Sequence, residues 1–316
     1  MSVETWKQWL TQISNEEIQY LKQALFSEDK PEIEVFRMPT ETCYVSSPPY
    51  IDVFGLLNIY DKLAFKNNIL LKGPKGVGKS LSYTYWAAVK NVPIVSVECS
   101  EDLKKYDLMG SPFIIGDETI FTLGSIPTAI EIANEVGFCI LAFEELNALT
   151  PQVQKMLNAI ADFRQAVSLP SIGKVYRLRE GAKIWIVASL NPTVYGGSYD
   201  LNEDLKSRFE EIEVTYPQDT QERMILESIG SRIPNDLLTA LLTLAKETRS
   251  GSIGYPLSTR DLVRLTNNIN VVGIDTTLQM LVGKFEYEDK QIVIKRLDSI
   301  FKGIKMPTPY WGETYG

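Results

Sequence analysis

Histidine is absent from all 316 residues. Every mechanism that uses imidazole as base, proton shuttle or metal ligand is thereby excluded. A general base must come from a carboxylate or, failing that, from lysine, tyrosine or cysteine. Cysteine is nearly absent too. Cys43, Cys99 and Cys139 lie far apart and make no C-x-x-C pair, so zinc-ligand spacing and a disulfide framework are lacking, which fits reduced thiols inside a cell. No apolar run approaches the roughly 20 residues that span a bilayer, and MSVETWKQWL lacks the basic-then-apolar pattern of a secretion signal. A soluble, cytoplasmic chain with no membrane insertion is expected. Excess positive charge is also missing. Lys and Arg number 32 against 40 Asp and Glu, a net charge of −8, which argues against a broadly basic nucleic-acid binder but leaves room for a local basic groove.

What is present is ordinary globular composition, 44% hydrophobic and 23% charged, in a length that suits one large domain or two moderate ones. Residues 1–48 read as an N-terminal helical extension: TWKQWL and NEEIQYLKQALF carry apolar residues at helical spacing, and SEDKPEIEVFRMPTE reads as linker. Over 49–217, short apolar runs (NILLKG, VPIVSVEC, GFCILAF, AKIWIVASL, EEIEVTY) alternate with helix-like stretches such as GKSLSYTYWAAV and PTAIEIANEV. This alternation predicts a parallel α/β sheet sandwiched by helices. Residues 218–302 favour helix throughout and predict a small all-α lid; 303–316 form a Pro/Gly-rich aromatic tail.

GPKGVGKS is the strongest motif. It matches G-x-x-x-x-G-K-[ST] and sits between a predicted strand and a predicted helix. Gly73, Pro74, Lys75, Gly76, Val77 and Gly78 form a turn whose backbone N–H groups converge at a helix N-terminus, where anions are favoured. Lys79 is positioned for β- and γ-phosphates and Ser80 for Mg²⁺, so ATP with Mg²⁺ is the expected ligand pair. The strand run ILAFEEL then ends in two acids. Glu144 suits the shell of the metal, and Glu145, where the chain turns away, suits activation of the attacking water. The bland alternative is a solvated glutamate pair. Thr150 and Pro151 predict the start of the next helix, with Val153, Met156, Leu157 and Ile160 on its apolar face.

With these motifs in this order, the sequence resembles AAA+ ATPases of the MoxR and dynein-related group over about residues 50 to 300. GPKGVGKS, ILAFEELNALTPQVQ, IVASLNP and DLKSRFEEIEV carry the resemblance. The group usually shows Asp-Glu-x-Asn where this chain has Glu144-Glu145-Leu146-Asn147. The resemblance implies a P-loop NTPase fold with a helical lid. It implies that Asn191 acts as sensor 1, that Arg208 is an arginine finger reaching a neighbouring subunit, and that Arg260 is sensor 2, with Arg264 one turn further as its substitute. A turn asparagine, a surface arginine paired with Glu210 or Asp204, and a helix-face arginine are the respective alternatives. Two inserts are implied as well, LMGSPFIIGDETIFTLGS and the segment VSLPSIGKVYRLREGAKIWIV, with Phe113, Phe121 and Tyr176 as either pore aromatics or core.

The function so implied is ATP hydrolysis in a homo-oligomeric ring, expected as a hexamer, that remodels a protein client, in this group often one with a von Willebrand type A domain. A nucleic-acid motor or packaging factor on the same fold is the alternative, disfavoured by the acidic balance. A slow nucleotide-dependent switch is the second alternative, resting on Glu144 alone.

Overall fold

The structure, a computed structural model, describes residues 33–115, 118–162, 165–191, 199–229, 234–252 and 254–300. Its elements run β1 (Glu34–Phe36), α1 (Leu56–Leu63), β2 (Asn68–Lys72), α2 (Lys79–Lys90), β3 (Ile94–Glu98), α3 (Lys105–Met109), β4 (Gly110–Ile115), β5 (Glu118–Leu123), α4 (Ser125–Val136) and β6 (Phe138–Glu144). There follow α5 (Pro151–Ala161), β7 (Ala166–Leu169), β8 (Lys174–Arg177), β9 (Lys183–Leu190), α6 (Glu203–Lys206) and β10 (Phe209–Glu213). The helices α7 (Asp219–Ser228), α8 (Asn235–Glu247), α9 (Thr259–Val272), α10 (Ile274–Val282) and α11 (Tyr287–Ile300) complete the described chain.

The five apolar runs form one parallel sheet in the order β10-β2-β9-β6-β3. The inner strands β2, β9 and β6 are buried almost throughout, as strands covered on both faces are, whereas the edge strands β3 and β10 leave side chains exposed; parity then decides which core each side chain joins. Phe138, Ile140 and Ala142 of β6 and Trp185 and Val187 of β9 pack with Tyr83, Trp86 and Ala87 of α2. Cys139, Leu141 and Phe143, with Ile184, Ile186 and Ala188, pack on the opposite side with α4 and α5. The rings of Tyr60, Trp86 and Trp185 meet at 5.2 to 6.5 Å and fix α1 and α2 to the sheet. Helices α7 to α11 have a separate core around Leu226, Leu241, Leu262 and Leu278. The result is an α/β P-loop fold, a parallel sheet flanked by helices and followed by a helical C-terminal region.

Both inserts are antiparallel hairpins, β4 with β5 and β7 with β8. Their aromatics divide. Phe121 and Tyr176 are buried, whereas Phe113 is 52% exposed. The stretch expected as linker carries local order: β1 pairs in parallel with β5, and Thr40–Cys43 make a single 3₁₀ turn. Three residues give too little alternation to show in the sequence, and the partner strand lies more than 80 positions away. The helical runs before residue 33 and the tail after 302 fall outside the described residues. All three cysteines are buried; burial pushes the Cys99 thiol up to about 12, with the nearby Glu144 and Glu145 charges adding to it.

Candidate functional site

The sheet's parity builds the site. Glu144 continues the β6 positions that face α2, and Ser189 and Asn191 continue the same set on β9. All three therefore arrive at the strand ends on the side where α2 begins. Ser80 stands in the first turn of α2, and its hydroxyl donates to Glu144 Oε2 at 2.8 Å. Glutamate is one methylene longer than the usual aspartate, and here it spans the gap to Ser80 directly.

Strand pairing stops at Glu144, which sits opposite Glu98. Glu145 then adopts a left-handed conformation (φ 55°, ψ 48°). A non-glycine residue in this region stores strain, which concentrates at functional positions. The turn is held by the Glu145 N–H donating to Ser189 Oγ at 3.3 Å. It takes Glu145 out of the strand alternation and into the same cleft as Glu144, where its carboxylate stands 3.6 Å from Lys75 Nζ.

The phosphate-loop turn is shaped by close approaches. A Cβ on Gly73 would lie 1.8 Å from the Val214 carbonyl oxygen. Gly76 has φ +74°, and a Cβ there would meet Ser258 Oγ at 2.4 Å. Lys79 is buried, and its ammonium donates to the carbonyls of Gly73 and Pro74 at 2.7 Å each and to Asn191 Oδ1 at 3.0 Å. All three acceptors are neutral. Burial pulls the Lys79 pKa down to about 8, against the opposing pull of Glu145, with Arg260 and Lys75 lowering it further. Asn191 is itself held by Asn147, whose amide donates to the Asn191 carbonyl at 2.9 Å.

These groups line a polar cleft of about 140 Å³ that includes Lys75, Lys79, Ser80, Glu144, Glu145 and Asn191. Arg260 joins it from the second residue of α9, and its N–H donates to the Gly76 carbonyl at 3.0 Å. Arg264 is exposed and lines neither this cleft nor the one beside it. A hydroxyl and a carboxylate side by side suit Mg²⁺, which takes one or two protein oxygens and fills its shell with phosphate and water.

Arg208 is not brought to this cleft. It precedes β10, whose first residue pairs with Asn68 at the start of β2, whereas the phosphate loop follows the end of β2. The five residues between amount to roughly 16 Å of strand. Its guanidinium donates to the Asp204 carbonyl of α6, just before it in the chain.

Beside the polar cleft lies a larger one of about 450 Å³, mostly apolar, sharing Gly76, Gly78, Ser80 and Arg260 with it. Tyr50, Ile51, Val53 and Phe54 form one wall, and Ile225, Ile229 and Val263 of the helical region form the other. Gln221 of α7 ties the walls together, donating to the Val53 carbonyl at 2.9 Å. None of these residues belongs to a recognisable motif, although Tyr50–Phe54 immediately follows the expected boundary at 48/49. A concave apolar pocket joined to an anion cradle suits a flat ring carrying a phosphate chain.

Fold and site together define a P-loop nucleotide-binding protein. The AAA domain of the dynein-related subfamily matches residues 68–209, and the chain belongs to that family. It is 30% identical over 240 residues to an uncharacterized protein of Staphylococcus haemolyticus, covering 72% of this chain and 88% of that protein. An uncharacterized protein of Staphylococcus epidermidis is 29% identical over 238 residues, with the same coverage. Among solved structures, the RuvB Holliday junction branch migration motor of Thermotoga maritima is 15% identical, covers 80% of this chain and 72% of that one, and has a TM-score of 0.46. Among the described residues no helix is long and apolar enough to cross a membrane.

Proposed function

We propose that the chain is a Mg²⁺-dependent ATPase that works in a ring of its own copies and spends hydrolysis on remodelling a protein client. The observation that carries this reading is the 2.8 Å bond between Ser80 and Glu144. It joins the phosphate loop to the twin-acid strand end, two motifs 64 residues apart, at the mouth of one cleft. The adenine ring occupies the apolar cleft and the triphosphate the polar one. Lys79 and Arg260 bind phosphate oxygens, and Ser80 and Glu144 would hold Mg²⁺, which when bound offsets charge on the phosphates. Glu145 accepts the proton of the attacking water as its oxygen bonds the γ-phosphorus and the bond to the ADP oxygen breaks. Asn191 orients that water.

Arg208 serves the neighbouring protomer. Its distance from its own phosphate loop supports a role in trans, where a guanidinium stabilises charge on the transferring phosphoryl group. The ring, of six copies, and a MoxR-like client, one with a von Willebrand type A domain, are the finer parts of the proposal, as is a cytoplasmic location. The division at 48/49, 217/218 and 302/303 is likewise proposed. The boundary at 217/218 is supported by the separate core of α7 to α11.

Phosphate release tests the reading. Glu145→Gln is expected to keep Mg-ATP binding and to lower turnover by about 10²- to 10⁴-fold, the range of a lost general base. A pull-down with that variant in ATP should retain a protein client. Unchanged turnover would remove Glu145 from its role, and recovery of nucleic acid instead of protein would replace remodelling with a nucleic-acid motor.

A further inference from the structure

The helical region holds a buried charged pair that lines neither cleft and reaches the apolar one through Thr259. Arg249 lies in the turn Thr248–Ser252 that follows α8. Its two terminal nitrogens donate to the two carboxylate oxygens of Glu222 at 2.8 Å each, and its Nε donates to the Leu257 carbonyl at 2.7 Å. The guanidinium carbon stands 4.1 Å from the ring centre of Tyr216. Tyr216 packs on the sheet-side core and lies in the connection between β10 and α7. Glu222 is only 1% exposed.

A buried ion pair gives little net stability compared with apolar residues filling the same space. What it does give is a fixed arrangement, and here that arrangement continues toward the phosphate loop. Glu222 Oε1 also accepts from the Thr259 hydroxyl at 2.7 Å. Thr259 is the first residue of α9, and the next is Arg260, the only residue of the helical region lining the polar cleft among those described. On the far side of Arg260, Asp261 accepts from Ser258 Oγ at 2.6 Å and is paired with Lys284. Arg260 is thus gripped at both neighbours. Glu222 also sits one turn before Ile225 and beside Gln221, so the same helix forms a wall of the apolar cleft.

We propose that Glu222 and Arg249 are positioning residues that hold the start of α9 so that Arg260 meets the nucleotide's phosphates, an inference that rests on reading the two clefts as an ATP site. Seating the base against α7 and seating Arg260 on the phosphates then become one event, because both surfaces are tied to the same carboxylate. A network that merely staples the helical core would stabilise the fold without regard to Arg260.

A double-mutant cycle separates the two. Binding of a fluorescent ATP analogue with Mg²⁺ is measured for the full chain, Glu222→Gln, Arg260→Ala and the pair. Glu222→Gln is expected to weaken binding about tenfold in the native background and less than twofold when Arg260 is already alanine, the non-additivity of residues that act through one another. If Glu222→Gln does not fold, Thr259→Val, which removes only the hydroxyl and leaves the ion pair, takes its place with the same expectation. An equal loss in both backgrounds, or no loss at all, overturns the inference while leaving the ATP site intact. A native chain that binds no nucleotide in the same titration overturns the ATP site, and the inference with it.

Discussion

The two clefts share four residues but are built differently. The polar one is made almost wholly from the ends of buried strands and the start of α2. Glu144 and Asn191 are fixed by sheet parity, Glu145 by the left-handed turn that follows, and Lys79 by aromatic packing beneath α2. The apolar one lies between Tyr50–Phe54 and the helical region, and only hydrogen bonds and side-chain packing keep its walls together. The contrast teaches a division of labour. Bond-breaking needs groups held rigidly where charge develops, and strand ends provide that. Affinity and closure need surfaces that can meet around a ligand, and two separately cored units provide that. Arg260 is the point where the two meet.

Changes at the groups proposed to act on the transferring phosphoryl should therefore alter turnover, and changes on the apolar side should alter affinity, as should changes at the phosphate-binding Lys79 and Arg260. The largest expected effect is at Arg208. Arg208→Ala should lower turnover by about 10³- to 10⁵-fold, the worth of an arginine finger, with ATP binding nearly unchanged. Mixing it with Lys79→Ala chains should restore part of the activity, because each supplies what the other lacks. Unaltered steady-state turnover would return Arg208 to the surface. A smaller effect is expected at Ile225. Ile225→Ala should weaken ATP binding by roughly tenfold, the scale of a lost apolar contact, with turnover at saturation retained. A fall in saturated turnover and no change in affinity would break the proposed division.

The smallest effect concerns Lys79. With its pKa at about 8, the unliganded lysine is charged below that pH and loses its proton above it. Binding phosphates favours the ammonium, so above pH 8 the chain must take up a proton to bind. ATP affinity should fall as pH rises from 7 to 9, with a limiting slope of about tenfold per unit. The stability of the unliganded chain should move the other way. The folded pKa lies below the ordinary 10.5, the unfolded chain holds more protons between the two values, and stability therefore rises with pH across that interval. Isothermal titration in buffers of different ionisation enthalpy would read the proton uptake; none at pH 8.5 would contradict it.

Much of the polar cleft was legible in the sequence, because its parts are local. GPKGVGKS encodes a turn and a helix start within eight residues, and ILAFEEL a strand and its ending. The inner strands β2, β6 and β9 could be read because continuous apolar runs mark doubly covered strands; the edge strand β10, FEEIE and mostly exposed, carries no such run. The apolar cleft was not legible. Its residues are single Ile, Val, Phe and Tyr side chains drawn from 50–54, 225–229 and 263, the first some 170 residues before the second, each indistinguishable by itself from core. The Glu222–Arg249 pair was hidden for the same reason, since charged residues on helices usually face water. Strand β1 reads as linker because its pairing partner is distant. The sequence assigns Asn147 no role; its bond to the Asn191 carbonyl gives it one.

One Mg-ATP lying across both clefts is the central claim, and photolabelling with an azido-adenine ATP tests it most directly. Labelled peptides should come from 49–54 and 225–229, they should disappear with excess ATP, and they should be lost in Lys79→Ala, whose change lies only on the phosphate side. Labelling elsewhere in the chain, or labelling of those peptides that persists in Lys79→Ala, would contradict it.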